Sequence, residues 1–427
     1  MRIALLASGS RGDIQPLLAV ADALRQRGHA VRMTVNTNLV EWARRTSLDI
    51  VPTEPDSEGV LRSDEGRALL ATGKLVRLFR AMAEQEKRHQ DQIIAAFGEA
   101  TRDADIVVST VLTVYRGTCF AERLGVPHGI VSTVPYLGTA GWASFVSPRP
   151  TLGLGWLNRV TYPLMHAIMW REARPTIAHL RDVLGLGRMG RRPRVEQFQS
   201  AQLYSSTLLP RQKEWGNEHE LAGFCVLRPE LRASLGEGEI APDLEAWLGE
   251  GPPPVYFGFG SMPILDPERV LGWVDAIATK RKLRALVGAG WSNYGITPGR
   301  RSDHLFVAPA FNHDRVLPRC LAAVHHGGAG TTATALRAGL PSAILSVFGD
   351  QPLWGWRIAR LGVGTTLRFQ ALTEERLARS LDALLRDDVR ERAQDLARKL
   401  AAEDGANRTA EIIEGWGRGS SCRRAAG

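Results

Sequence analysis

The chain has 427 residues, with 54 Lys+Arg against 45 Asp+Glu and a formal charge of +9. A content of 44% hydrophobic and 23% charged residues is that of an ordinary globular protein, which excludes a mostly disordered, collagen-like or coiled-coil chain. The length predicts two or three domains. No apolar run approaches the roughly 20 residues of a membrane span. The apolar start Met1–Ala7 is too short for a signal-peptide core, so a cytoplasmic location is the expectation.

Of the 54 basic residues only six are Lys. The Arg excess is scattered and accompanied by abundant Ala and Gly, which reads as the imprint of a GC-rich bacterial genome. A nucleic-acid surface would gather its charge on one face and interleave aromatics. The runs Arg188–Arg194 and Arg418–Arg424 read instead as loops. Cys119, Cys225, Cys320 and Cys422 form no CxxC pair and no metal-ligand spacing, so free thiols are expected.

Along the chain, Arg2–Ala7 reads as a buried strand, followed by the loop SGSRGD and an amphipathic helix over Ile14–Arg27 that Gly28 ends. Strands at Ala30–Thr34, Ile106–Ser109 and Gly129–Ser132 follow, with a helix around Tyr115–Leu124. The stretch Trp156–Leu186 reads as an apolar helix broken at Pro175. Val134–Trp170 fits an apolar pocket or a face that touches membrane lipid. Its Trp142, Phe145, Trp156 and Trp170 do not fall in one helical stripe, which favours pocket and core.

Alternation restarts at Val255. Strands are expected at Val255–Ser261, Arg284–Val287, Leu305–Val307, Leu321–His325 and Ser342–Ser346. Helices are expected at Pro267–Lys282, after Gly330, and over Thr373–Arg386, Val389–Glu403 and Asn407–Trp416. Strands alternating with helices imply parallel sheets covered on both faces. The fold class is therefore α/β, with two Rossmann-like, doubly wound parallel-sheet domains facing a central cleft. The first spans 1–210, a connecting region 211–253, the second 254–403, and a terminal helix with a frayed tail 404–427.

Three segments could carry chemistry. In His325–Thr332 (HHGGAGTT) a strand delivers two His to a turn containing Gly327, Gly328 and Gly330. The following helix offers free N–H groups and its positive dipole end, which suits phosphate, and Thr331 and Thr332 add hydroxyls. The His side chains diverge, which speaks against a two-His metal site, and one of them should face the cleft. In Phe348–Trp354 (FGDQPLW), Asp350 and Gln351 lie on the same rim, with acceptors and donors suited to sugar hydroxyls. Alone, that segment is a polar turn with Pro352 in the first helical turn.

The third segment, Ser8–Pro16 (SGSRGDIQP), places Asp13 where an N-cap is expected. The same carboxylate could instead serve as general base on an acceptor hydroxyl. The spacing is not GxGxxG, which lowers the rank of a dinucleotide oxidoreductase. Asp103–Asp105 (DAD) imitates a metal-holding DxD motif but reads as a polar loop away from the phosphate turn.

SGSRGDIQP, HHGGAGTTATALRAGLP and FGDQPLWGWRIARLGVG together resemble family 1 glycosyltransferases of the two-domain GT-B fold. The pattern is that of sterol glucosyltransferases and of bacterial enzymes that glycosylate natural products. The resemblance implies inverting transfer, without metal or cofactor, from a nucleoside diphosphate sugar to a hydroxyl. UDP-glucose is the foremost donor. The acceptor, a lipophilic or polycyclic alcohol such as a sterol, triterpenoid or polyketide aglycone, would sit on the first domain.

By the same resemblance Asp13 stands at the general-base position, and Ser10 and Arg11 approach the diphosphate. His325, Gly330 and Thr331 hold the phosphates, with Ser261 a further phosphate-side contact. Asp350 and Gln351 bind the sugar. The nucleobase region reads Ala308–Asp314 (APAFNHD), with Ala308 and Phe311 as the base-side residues, and Leu336 stands where some relatives carry a ribose-binding glutamate. His326 has no family role and is left as structural. The alternatives are a TDP-deoxysugar-dependent tailoring enzyme and a catalytically idle accessory protein.

Overall fold

The computed structural model describes residues 1–56, 59, 66, 75–189, 192–258, 267–289, 299–309 and 311–424. Two seven-stranded sheets organise it. The first contains β1 (Arg2–Leu6), β2 (Ala30–Asn36), β3 (Asp49–Thr53), β4 (Ile106–Ser109), β5 (His128–Ser132), β6 (Gln199–Gln202) and β7 (His219–Leu221). The second contains β8 (Val255–Gly258), β9 (Ala285–Gly288), β10 (Gly299–Arg300), β11 (Leu305–Ala308), β12 (Ala322–His325), β13 (Ser342–Ser346) and β14 (Gly364–Arg368). The order is β3-β2-β1-β4-β5-β6-β7 in one and β10-β11-β9-β8-β12-β13-β14 in the other. Every pairing is parallel except the short β10 on β11.

The winding reverses between β1 and β4 in the first sheet and between β8 and β12 in the second. Ligands of open α/β sheets sit outside the carboxyl ends of strands at such reversals. Ser8–Ser10 leaves β1 at one reversal and His326–Gly328 leaves β12 at the other. The central strands are apolar runs because helices cover both faces: Ile3, Leu5 and Leu6 are each about 1% exposed, and Val107 and Val324 not at all.

The domains meet along a shared core. Tyr204 of the first meets Trp354 of the second edge to face, ring centroids 5.8 Å apart. The first helix, Arg11–Gln26, packs on the helix Ala329–Arg337, whose amino end carries the glycine turn. Phe97, Tyr136 and Tyr204 share one hydrophobic cluster with Leu336, Ile344 and Trp354.

Several elements differ from expectation. β6 (QSAQ) and β7 carry the first sheet to Leu221, inside the segment expected to connect the domains. Hydropathy misses β6 because Ser200 and Gln202, though polar, are buried. Ser200 Oγ lies 2.8 Å from His219 Nδ1, and Gln202 Nε2 donates to Ser200 Oγ at 3.1 Å. The terminal helix, expected over Asn407–Trp416, runs Gly405–Arg424, through the stretch 418–424 where a frayed loop was expected, and it packs on the first helix. Ala410, Ile413 and Trp416 join the core of Leu17 and Leu24, so the chain returns to its first domain.

Helix Gly155–Val183 is continuous through Pro163 and Pro175. Both prolines stand on its exposed face, where a carbonyl that loses its N–H partner can turn to water. Trp156 on that face is 63% exposed and is no part of the core. Trp142 is buried as expected, while Trp170 is half-buried against Tyr115, with centroids 5.0 Å apart. Cys119, Cys225 and Cys320 are unpaired.

Candidate functional site

The loop after β1 sets Asp13. The helix starts at Arg11 with Ser10 as its N-cap residue, so Asp13 occupies the third helical position, not the cap. From there its carboxylate reaches back: Oδ2 accepts from Ser10 N at 2.8 Å and from Ser10 Oγ at 2.9 Å. Gly9, at φ +133°, makes this possible, since a Cβ there would lie 2.5 Å from Asp13 Oδ2. Its N–H donates to Asn36 Oδ1 at 2.8 Å, tying the loop to β2. Asp13 Oδ1 takes no hydrogen bond from the described residues. Asp13 is half-buried, and burial pushes its pKa up against the pull of the two Ser10 bonds.

Across the cleft, Asp350 precedes the helix Gln351–Arg360 and accepts from Trp354 Nε1. Burial raises its carboxyl to about 6, opposed by the Trp354 bond and reinforced by the charge of Asp13. The charge of Asp13 thus reaches Asp350 although 337 positions separate them in the chain. Gln351 Oε1 accepts from Val347 N at 2.8 Å and Phe348 N at 3.3 Å, so its carbonyl holds its own turn. Pro352 falls in the first helical turn, as the sequence implies.

The glycine turn leaves β12 at His325. Gly327 has φ +91°, and a Cβ there would sit 2.5 Å from Ile344 Cγ2. The helix begins at Ala329 with Gly328 as cap residue, so it opens before Gly330, earlier than expected. The N–H groups of Ala329, Gly330 and Thr331 therefore lie in its first turn, where no carbonyl of the helix can accept from them. Beside Gly330 a Cβ would meet nothing, and that residue is exposed.

His325 is fully buried, and its Nδ1 accepts from Gly327 N at 3.1 Å, which leaves the ring proton on Nε2. His325 Nε2, His326 Nδ1 and Thr332 Oγ1 are buried without a partner among the described residues. Buried polar atoms are normally paired, and here three such exceptions gather at one turn. Desolvation lowers His325 to about 3 and His326 to about 4, so both rings are neutral at physiological pH. They offer single hydrogen bonds to an anion but no charge.

On the base side, Ala308 is wholly buried and ends β11, which turns its side chain into the core. Phe311 is half-buried, 4.8 Å from the ring of His313 at an interplanar angle of 32°. His313 Nε2 lies 2.8 Å from Tyr256 OH. Burial lowers His313 to about 4, assisted by the charges of Arg11 and Arg232.

Arg11 and Ser10 are engaged elsewhere. Ser10 gives both its donors to Asp13. Arg11 pairs with Glu237 and lies over the Trp42 ring at 4.8 Å. Glu237 also takes Trp42 Nε1 at 2.8 Å and Arg232 Nη1 at 3.0 Å, and its carbonyl accepts from Asn312 Nδ2 at 2.7 Å. The structure therefore brings Asp13, Asp350, Gln351 and the glycine turn together, and it holds Arg11 in a latch between the domains. Ser261 lies outside the described residues.

Arg232, Glu237, Tyr256, His313 and Trp354 were not expected at the site. His313 and Trp354 had local signals, their places in APAFNHD and FGDQPLW, while the others depend on long-range contacts. Asp103 and Asp105 pair with Arg32 and Arg2 at 2.9 and 2.8 Å, at the amino ends of the strands and on the rim opposite the turn. Among the described residues, no group of three His, Cys, Asp or Glu is placed to hold a metal. None of the described helices is long and apolar enough to cross a membrane.

Comparison with known proteins agrees with the two-domain fold. Residues 3–137 match the glycosyltransferase family 28 N-terminal domain, and 310–415 match the erythromycin biosynthesis protein CIII-like C-terminal domain. The chain is 32% identical to the uncharacterized glycosyltransferase ML2348 of Mycobacterium leprae, over 97% of this chain and 96% of that protein. It is 30% identical to the sterol 3-beta-glucosyltransferase UGT80B1 of Arabidopsis thaliana, over 95% of this chain and 66% of that protein. The chain thus spans slightly under two thirds of the plant relatives' length. Among solved structures, the glycotransferase of kitacinnamycin superposes with a TM-score of 0.68 at 19% identity, covering 97% of this chain and 98% of that one. The spinosyn forosaminyltransferase SpnP gives 0.67 at 19%, covering 98% and 99%. The chain belongs to the family 1 glycosyltransferases of the two-domain GT-B fold.

Proposed function

We propose that the protein transfers a sugar from a nucleoside diphosphate, with UDP-glucose foremost, to a hydroxyl of a lipophilic or polycyclic acceptor. Transfer is inverting and uses neither metal nor cofactor. The observation that carries this reading is the glycine turn with three unpartnered buried polar atoms, set at the cleft with Asp13 and Asp350. Asp13 Oδ1 takes the acceptor proton as the hydroxyl oxygen attacks the anomeric carbon. The bond from that carbon to the β-phosphate oxygen breaks on the opposite face. An alcohol is a far weaker acid than a carboxyl, so proton transfer is late and coupled to attack.

The leaving diphosphate is met by the first-turn N–H groups of the helix Ala329–Arg337, by its dipole, and by His325 Nε2–H. Asp350 and the free amide of Gln351 address the sugar hydroxyls. Phe311 and His313 line the base side, and the acceptor meets the first domain. The sterol glucosyltransferase relatives support a glucose donor and a polycyclic alcohol.

A second reading, a TDP-deoxysugar donor, is favoured by the match of the nucleotide-side half to the erythromycin CIII-like domain. Thermal shifts with UDP, TDP and ADP separate the two, because a ligand that binds only the folded state raises the melting temperature. Stabilisation by TDP with none by UDP would sink the UDP reading. Sugar transfer at full rate by Asp13→Asn would overturn the role of the base.

A further inference from the structure

Among the described residues, all five large hydrophobic side chains that stand more than half exposed lie on one element or at its cap. They are Leu154, Trp156, Val160, Leu164 and Val183, each between 55% and 63% exposed, at the helix Gly155–Val183. Trp156, Val160 and Leu164 recur every four residues, so they form one row along the first turns. Pro163 and Ala167 are exposed on the same face. At 29 residues the helix is about 43 Å long. Scattered exposed hydrophobics are ordinary on a soluble protein, whereas a contiguous row marks an interaction surface.

On the face that carries that row the exposed charge is mostly basic, while elsewhere the helix meets Glu196 at His166 and Asp91 at His179. Arg159, Arg171 and Arg174 are exposed on the helix. Two carboxylates face them: Glu214 pairs with Arg159 at 2.9 Å, and Glu172, largely covered, pairs with Arg171 at 2.8 Å. Arg174 makes no ion pair among the described residues, and Asp182 stands exposed only at the far end. Beside Arg159 opens a cleft of about 750 Å³ lined also by Arg211, Lys213 and Glu214. Arg211 is held by the carbonyls of Trp215 and Gly216, at 3.1 and 2.6 Å, and Lys213 is exposed. The cleft thus carries more positive than negative charge.

We propose that this helix face docks the protein on an anionic phospholipid bilayer. Trp156, Val160 and Leu164 enter the acyl boundary, and Arg159, Arg171, Arg174 and Lys213 meet the lipid phosphates. An apolar row containing Trp, flanked by Arg, is the signature of a helix that lies in the interface plane, and its affinity adds buried area to attraction for anionic lipid. No described helix can span the bilayer, so the contact is peripheral. The inference is independent of the donor and the base.

The test is flotation of the full chain with vesicles of phosphatidylcholine alone and of phosphatidylcholine with about 30% phosphatidylglycerol. The expected result is binding to the anionic vesicles, weak binding to the neutral ones, and release as salt rises. Trp156→Glu/Leu164→Glu loses binding. Arg171→Glu/Arg174→Glu weakens it by about fivefold for each arginine removed. Because these side chains are exposed, both variants keep the wild-type melting temperature and its UDP-induced shift. Failure here therefore leaves the glycosyltransferase reading intact. The proposal is overturned if the wild type does not float, or if both variants float as well as it does. It is overturned too if the wild type is a dimer that Trp156→Glu/Leu164→Glu splits while neither form binds lipid, since the face then belongs to a second copy.

Discussion

Asp13 accepts both donors of Ser10 on a single oxygen, Oδ2, at 2.8 and 2.9 Å. The capping-box role, held from the third helical position, and the proposed base function fall on different oxygens of one carboxylate. They can therefore be separated: Asp13→Asn retains an acceptor for Ser10 while losing the capacity to take a proton. The expected outcome is a melting temperature close to wild type, with transfer reduced by about 10²–10⁴-fold. Asp13→Ala loses the cap contact as well and costs about 1 kcal/mol more in stability. A rate loss in Asp13→Ala that Asp13→Asn fully restores would make the carboxylate structural.

Asp350 titrates near 6, above its ordinary value of 3.8. Between those values the unfolded chain has lost a proton that the folded chain still holds. Stability therefore falls as pH rises through this window and levels off above it. Asp350→Asn removes that slope. The variant should melt higher than wild type near pH 7.5 while its KM for the donor rises. Melting curves of the two proteins from about pH 4 to 8 check this, and parallel curves would refute it.

The raised pKa of Asp13 predicts the acid limb of the rate profile. Transfer should decline on acidification at a pH above the usual carboxylate range, since only the ionised form takes the proton. kcat/KM measured across pH gives the position of the limb, and Asp13→Asn should flatten it on its low residual rate.

Gly327 and Gly330 share a turn and should respond oppositely to Ala. At Gly327 the backbone has φ +91° and Ile344 Cγ2 stands 2.5 Å from the added carbon. Gly327→Ala should cost about 1–3 kcal/mol of stability by urea unfolding. At Gly330 the added carbon has no neighbour within 4 Å among the described residues, so Gly330→Ala should fold normally. It occupies the space proposed for the diphosphate and should abolish the thermal shift with UDP. An undiminished UDP shift in Gly330→Ala would place the phosphates elsewhere.

Glu237 holds Arg11, Arg232 and Trp42 between the domains. Arg11 lies close enough to His313 for its charge to depress that ring, so its guanidinium can serve the diphosphate once released. Glu237→Gln should lower the melting temperature and tighten UDP binding by up to about tenfold, the scale of one charge-assisted hydrogen bond. Adding Arg11→Ala should erase the gain. Calorimetric titration of the three proteins reads both effects.

The sequence alone determined the alternation of strand and helix, the two sheets and the segments that meet at the cleft. These follow from local causes: apolar runs of strand length, glycines where backbone turns back, and polar loops at strand ends. SGSRGDIQP, HHGGAGTT and FGDQP are legible in residue order, because each marks a polar turn that leaves a strand and opens a helix. Trp156 was read as interior because spacing within one segment cannot tell which helix face the rest of the fold covers.

β6 was invisible because Ser200 and Gln202 are polar, and the bonds that let them be buried, to each other along the strand and from Ser200 to His219 across the sheet, do not show in residue order. The return of the terminal helix to the first domain rests on Glu414, which holds Arg27 and His29, each at 2.8 Å. Burial there and in the cleft is a property of the whole packed chain. Only the tertiary structure could place Arg11 in the grip of Glu237, leave His325 neutral and unpartnered, and set the charge of Asp13 against that of Asp350.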